Sequence, residues 1–306
     1  MNNLPREHHH LNAHARHLEK TLTALLWTLR FRWTATQIID RLLGGNGLVR
    51  KLIERKLLVE HRIPSPFSPV RFYVTVSQEG LALLQRNWRE IEGGAQGHLA
   101  MCLSRSFHLP IRPDHRIREH RFEHDLHLQY LVTDQVRREG QRLYSLHLAD
   151  DLERTPPAKR PSKIPDAILH LLSDDDSANQ TIRNRWIEVE YSRKNSREID
   201  TCCAYYRAAL AGAAEKPFDE LIIYCHASLL AQWRRDFART IIPQWFFNKE
   251  KRTWVRLEPK DWFHFPELSV LARHGYIRQL PANGKKGAAA QAPAPEALAA
   301  SGHRPG

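Results

Sequence analysis

No run of roughly eighteen apolar residues occurs anywhere in the chain, so no segment reads as a bilayer-spanning helix. Cysteine is nearly absent. Only Cys102, Cys202, Cys203 and Cys225 occur, and no two of them form a Cys-x-x-Cys pair. That excludes a disulfide framework and a zinc ribbon, and it leaves reduced thiols in a cytoplasmic protein as the expectation. The opening "MNNLPREHHHLNAHARHLEK" lacks the apolar centre of a secretory signal, so secretion is not expected. Its histidines (His8, His9, His10, His14, His17) read as a solvated leader. What the chain does have is positive charge: 46 Lys and Arg against 34 Asp and Glu give a formal net charge of +12. An excess of that sign favours a polyanionic partner, nucleic acid before an acidic membrane surface. Its bland alternative is a basic protein that is merely soluble.

The 306 residues allow two domains. Residues 1–95 read as the first. Apolar residues recur at helical spacing across Leu18–Leu29. "TATQIIDRLL" then places Thr34 and Gln37 at capping-box spacing, predicting a second helix from that point. "GGNG" at 44–47 breaks it, because a tight turn needs positive φ. A third helix over 48–58 would bury Val49, Leu52, Ile53 and Leu57 and expose Arg50, Lys51, Arg55 and Lys56. Two strands, "VEHRI" and "VRFYVTV", flank the proline-rich tip "PSPFSP" and predict a hairpin. Three helices and a hairpin make a winged helix-turn-helix. Fourteen Lys or Arg against eight Asp or Glu give this segment +6. Helix 48–58 would then enter a major groove of double-stranded DNA while the wing, with Arg62 and Arg71, meets backbone. A winged helix used for protein contacts is the alternative.

Residues 105–275 read as the second domain, a mixed sheet flanked by helices. A long helix over 116–138 precedes a strand at "RLYSLHLA", a basic loop, and strands at "PDAILHLL" and "RWIEVEYS". A helix at "SREIDTCCAYYRAALAG", a strand at "FDELIIYC" and a helix at "SLLAQWRRDFAR" follow. Residues 281–306, rich in Ala, Pro and Gly, read as a disordered tail.

Three acids stand in strands that otherwise read as interior. Glu188 and Glu190 are two apart and share a face of their strand, and Asp166 opens the neighbouring one. Clustered carboxylates repel one another unless a cation intervenes, and oxygen-only ligands suit Mg²⁺ or Mn²⁺. Such an ion can polarise a phosphate and activate water. Solvent-facing acids on an edge strand are the competing reading, against which stand the apolar flanks.

Pro165-Asp166 followed by Glu188-Val189-Glu190, in that order of elements, resembles the PD-(D/E)xK nuclease superfamily over about residues 115–235. The resemblance implies a restriction-endonuclease-like fold. Glu190 stands where the family carries lysine, and Lys194 is the residue that could supply the missing cation. With the winged helix and "EHDLHLQ" ahead of it, the chain is also similar to the MOBC class of plasmid mobilization relaxases and the related replication-relaxation proteins. That implies a metal-dependent enzyme nicking one strand at a plasmid transfer origin, alongside other mobilization or coupling proteins. It also implies Glu123 or Asp125 as an additional acid at the metal site. No His-hydrophobe-His triplet of the commoner relaxases is present.

Two other readings compete. "HRFEH" at 120–124 matches H-x-x-E-H, in which His120 and His124 would hold zinc and Glu123 act as base. Five degenerate positions arise easily among 18 histidines, and a peptidase leaves the basic first domain unexplained. The other is a DNA-binding regulator with an inactive nuclease-like domain. Tyr191, Tyr205 and Tyr206 read as packing residues rather than covalent nucleophiles.

Overall fold

The computed structural model describes residues 13–63, 70–105, 107–114, 117, 119–154, 163–173, 181–211, 218–265 and 275–279. The hairpin tip 64–69, most of the basic loop after Arg154 and the tail 281–306 lie outside the described residues. Within them the protein is a mixture of helices, one mixed sheet and smaller sheets. The chain divides into two compact units, residues 1–151 and 152–306.

In the first unit, α1 (Ala13–Arg30) is buried on every side from Thr21 onward, so it forms the core rather than covering it. β1 (Thr34–Ala35) follows, then α2 (Thr36–Leu43) and α3 (Leu48–Glu54). Thr34 caps nothing. Its backbone pairs with Val74, Ala35 is the N-cap of α2, and no side chain caps that helix. A β-branched residue suits the strand as well as the cap, and strand pairing prevails. Gly44 (φ 66) and Gly47 (φ 86) make the turn as expected.

α3 stops four residues short of the expected Leu58. Lys56 takes the left-handed conformation (φ 58), with Lys56 N–H bonded to Ile53 O at 2.9 Å and Leu57 N–H to Leu52 O at 2.8 Å. This is a Schellman ending with lysine in the position usually held by glycine. β2 (Leu58–Arg62) and β3 (Phe72–Val76) then pair antiparallel, giving the strand order β1-β3-β2.

After β3 come α4 (Gln78–Arg86), α5 (Trp88–Glu92) and α6 (His98–Ser104), for which the sequence reading assigned no elements. Ser77 caps α4 by accepting from Gly80 N–H at 2.9 Å, and its hydroxyl donates to Lys56 O at 2.6 Å. α7 (Phe122–Glu139) lies against α2, where Arg41 and Asp134 form two bonds of 2.6 and 2.9 Å. β4 (Leu143–Leu148) and α8 (Ala149–Glu153) carry the chain to the second unit. No helix among the described residues is long and apolar enough to cross a membrane.

The second unit contains β5 (Ala167–Leu172), β6 (Ile182–Glu190), α9 (Ser196–Leu210), β7 (Glu220–Cys225) and α10 (Ala227–Ala238). Short strands β8 (Ile241–Ile242), β9 (Trp245–Asn248), β10 (Thr253–Arg256) and β11 (Phe263–His264) precede β12 (Gly275–Gln279). β6 pairs antiparallel with β5 and parallel with β7, and β12 continues parallel beyond β7. β9 and β10 form a separate ribbon, as do β8 and β11. Trp186, Ile199, Tyr206, Phe218 and Trp233 centre the core between sheet and helices. All four cysteines are buried.

Candidate active site

Alternation along β6 puts Trp186, Glu188 and Glu190 on one face. Trp186 joins the apolar cluster that includes Cys202 and Tyr206 of α9, so this face is the one the helix covers. Both glutamates are accordingly buried, at 4% and 3% exposure. Ala167 pairs with Ile187, and one step further places Asp166 opposite Glu188. The Asp166 carboxylate accepts Val189 N–H at 2.8 Å, which ties it to the backbone between the two glutamates. Glu188 and Glu190 are thus interior rather than solvent-facing, and Asp166 lies half-buried at the end of the neighbouring strand.

Buried carboxylates need partners, and two lysines supply them. Lys163 Nζ donates to Glu188 Oε1 at 2.7 Å and sits 4.6 Å from the centre of the Tyr206 ring. Lys194 Nζ donates to Glu190 Oε2. Lys194 is presented by the turn ahead of α9, which a capping box fixes: Asn195 Oδ1 accepts Glu198 N–H at 3.0 Å and Glu198 Oε2 accepts Asn195 N–H at 3.2 Å.

Burial pushes Glu188 up to about 7. Lys163 opposes that shift, while Asp166 and Glu190 reinforce it. For Lys163 burial acts downward, but Glu188, Cys202 and Glu190 outweigh it and leave the ammonium raised. Both partners move upward, the glutamate because burial outweighs its lysine and the lysine because its neighbours outweigh burial. Tyr206 is fully buried and held well above its ordinary range, by burial first and then by Glu188, Cys202, Glu190 and Asp166. Its hydroxyl has no hydrogen-bond partner among the described residues.

Among the described residues no group of three or more His, Cys, Asp or Glu could by itself hold a metal ion. Mg²⁺ needs less, since it keeps several waters and takes one or two carboxylates plus substrate phosphate. Asp166 and Glu188, facing each other across the sheet and mutually repelling, are a donor pair of that kind. The donor set fits an open, hydrated divalent ion completed by a phosphate and does not fit a closed protein cage.

The other expected residues lie in the first unit. Asp125 contacts His124 Nδ1 at 3.0 Å and Arg121 Nε at 3.6 Å. Glu123 is raised by burial, and its Oε2 has no hydrogen-bond partner among the described residues. His120 lies exposed in a 3₁₀ turn ahead of α7, while Glu123 and His124 lie on that helix, so the H-x-x-E-H residues do not share one continuous α-helix. Arg50, Lys51, Arg55, Lys56, Arg62 and Arg71 are all exposed, and Arg50 is paired with Glu54 at 3.1 Å.

Sequence reasoning passed over Lys163 and Tyr206. Lys163 stands three residues before Asp166, where a lysine beside a proline in a basic loop looks like one more surface charge. Tyr206 was visible only as packing. The signal for both is the need to neutralise and hydrogen-bond interior acids.

No known protein family, curated protein or solved structure matches the chain.

Proposed function

We propose that the chain is a metal-dependent DNA-nicking protein of the plasmid mobilization type, in which the first unit binds duplex DNA and the second cuts one strand. The buried Glu188 and Glu190, countered by Lys163 and Lys194, with the half-buried Asp166 bonded to the backbone between them, carry this reading. A stable core has no need of three acids at one strand end, whereas phosphoryl chemistry uses such a cluster. The order α1-β1-α2-α3-β2-β3, with exposed basic residues on α3 and the strands after it, supports a winged helix presenting α3 to a major groove. The mixed sheet with an acid pair in register across β5 and β6 supports a restriction-endonuclease-like second domain.

Asp166 and Glu188 would hold Mg²⁺ or Mn²⁺, with Glu190 as a further acid. A divalent ion there supplies charge neutralisation for the phosphate and eases deprotonation of water. Glu188 must shed its proton to serve, which its range near 7 permits at neutral pH. Lys163 and Lys194 hold the glutamates while the site is empty. When a phosphate enters, each ammonium can turn from its carboxylate toward the developing charge. Lys163 thereby shares the cationic role first assigned to Lys194. Reduced thiols fit a cytoplasmic setting.

One observation favours a second reading. Both glutamates already carry a lysine, so the cluster is nearly neutral without any ion, as an inactive nuclease-like domain in a DNA-binding regulator would be. Incubating supercoiled plasmid carrying the cognate region with protein and Mg²⁺ or Mn²⁺ separates the two. Nicking that Asp166→Asn abolishes supports the enzyme, and binding without nicking supports the regulator.

A further inference from the structure

The β9–β10 ribbon is built against expectation. Phe247 pairs with Trp254 in register, with ring centres 5.4 Å apart, yet the two rings are 44% and 45% exposed. A cross-strand aromatic pair ordinarily covers a core or an interface. Trp245, on the same face, is anchored: its indole N–H donates to Asp200 of α9 at 2.9 Å. The ribbon is thus fastened to the first turns of α9 at one end and reaches beyond the helix at the other.

The charge around these rings is basic. The Arg197 guanidinium lies 4.6 Å from the Trp254 ring centre, and Arg256 lies 4.4 Å from that of Trp262. The tip carries Lys249, Lys251 and Arg252 against the single acid Glu250, all exposed. Rings that stack, arginines beside them and lysines along the edge are what an unpaired strand requires: base faces on aromatics, phosphates on cations. A purely apolar protein partner would leave Lys249, Lys251 and Arg252 with one acid, Glu250, among them, while Arg197 has Glu198 at 3.7 Å. A duplex, whose bases are already stacked, would leave the rings unused.

Position adds a direction. Arg197 follows Lys194 by three residues, so their Cα atoms are at most about 11 Å apart by chain length. Lys194 is bonded to Glu190 of the carboxylate cluster. The start of α9 therefore supplies one cation to the aromatic face and another to the cluster, within one unit.

We propose that Phe247 and Trp254, with Arg197 and the basic tip, form a stacking platform for single-stranded DNA that leads the strand to the carboxylate cluster. The direction rests on the nuclease reading; the binding does not. On nicking, the freed strand would be held here by base stacking rather than by the groove-reading first unit.

The test uses the full chain, without divalent metal, and a fluorescent oligothymidylate of about 16 nucleotides, the upper size one stacking module covers. Phe247→Ala and Trp254→Ala are each expected to weaken its binding about tenfold, the effect of losing one stacked base. Trp254→Phe should restore most of it, and binding to a duplex of equal length should not change. The binding is read without divalent ion and without cleavage, so a failure of the nuclease reading leaves this result intact. Unchanged single-strand affinity in both alanine variants overturns the proposal. Equal weakening for single strand and duplex overturns it too, as does loss of self-association in sedimentation with DNA binding intact.

Discussion

At the scale of single residues, the decisive feature is a buried acid whose charge is disfavoured. Glu188 moves from 4.5 to about 7 on folding. A raised folded value means the protonated form suits the folded protein. Its contribution to stability is therefore complete below about 4.5 and is lost as pH rises through about 7. Function runs the other way, since the ionised carboxylate is the useful form: nicking should climb as pH passes through 7. Lys163→Met removes the cation that opposes this shift, so the rising limb should move to higher pH, while Lys163→Arg keeps it near the parent position. A pH–rate profile on matched variants reads this out, and superimposable profiles would remove Lys163 from the site. Breaking the pair should also cost about 3 kcal/mol in urea unfolding, at the low end for buried pairs because the lysine is 26% exposed. Lys56 offers an opposite case. A non-glycine residue in left-handed conformation costs about 1 kcal/mol or more, so Lys56→Gly should raise stability by about that amount. The three acids could be read from the sequence because charge inside an apolar strand is conspicuous. Lys163 could not, because a lysine near a loop has the same signature whether it faces water or a buried glutamate.

At the scale of elements, local signals were sufficient where one periodicity held. α1, α9, α10, β5, β6 and β7 fall on the segments whose spacing predicted them. The elements that escaped are short or mixed. α4 to α6 are separated by Asn87 and Gly93, and β8 to β11 hold two to four residues each, too few to display a period. The end of α3 was misplaced because nothing in "ERKLL" marks Lys56 as the left-handed residue. α4 packs closely on the turn that follows α3, where a Cβ added at Gly80 would overlap Leu57 O. Backbone cannot move aside cheaply, so Gly80→Ala should destabilise by about 2 kcal/mol, measured as a lower urea midpoint with unchanged slope. The exposed face of α3 carries a separate expectation. Arg50→Ala, Lys51→Ala and Arg55→Ala together should weaken duplex binding at every sequence and lower the salt slope by about 3, one for each phosphate contact. An unchanged slope would mean that α3 does not lie on DNA.

At the scale of the whole molecule, the chain is a basic protein in two units, with exposed cations on one and a buried acid cluster in the other. Length and the change of pattern both pointed to more than one compact unit, and two are present. The helix over residues 122–139 carries the acidic sequence that resembled the nuclease's, yet Arg41–Asp134 and other contacts bind it to α2. Long-range packing of that kind leaves no local trace. Division of labour between the units is the central claim, and it has a direct measurement: relaxation of supercoiled plasmid by the parent protein and by Asp166→Asn, with Mg²⁺ or Mn²⁺, run beside duplex-binding titrations of both. The account predicts an open-circular product from the parent, at least a hundredfold less from the variant, and duplex affinities within about twofold of each other, since a ligand to the ion is removed and no contact to DNA. Undiminished nicking by Asp166→Asn would contradict it.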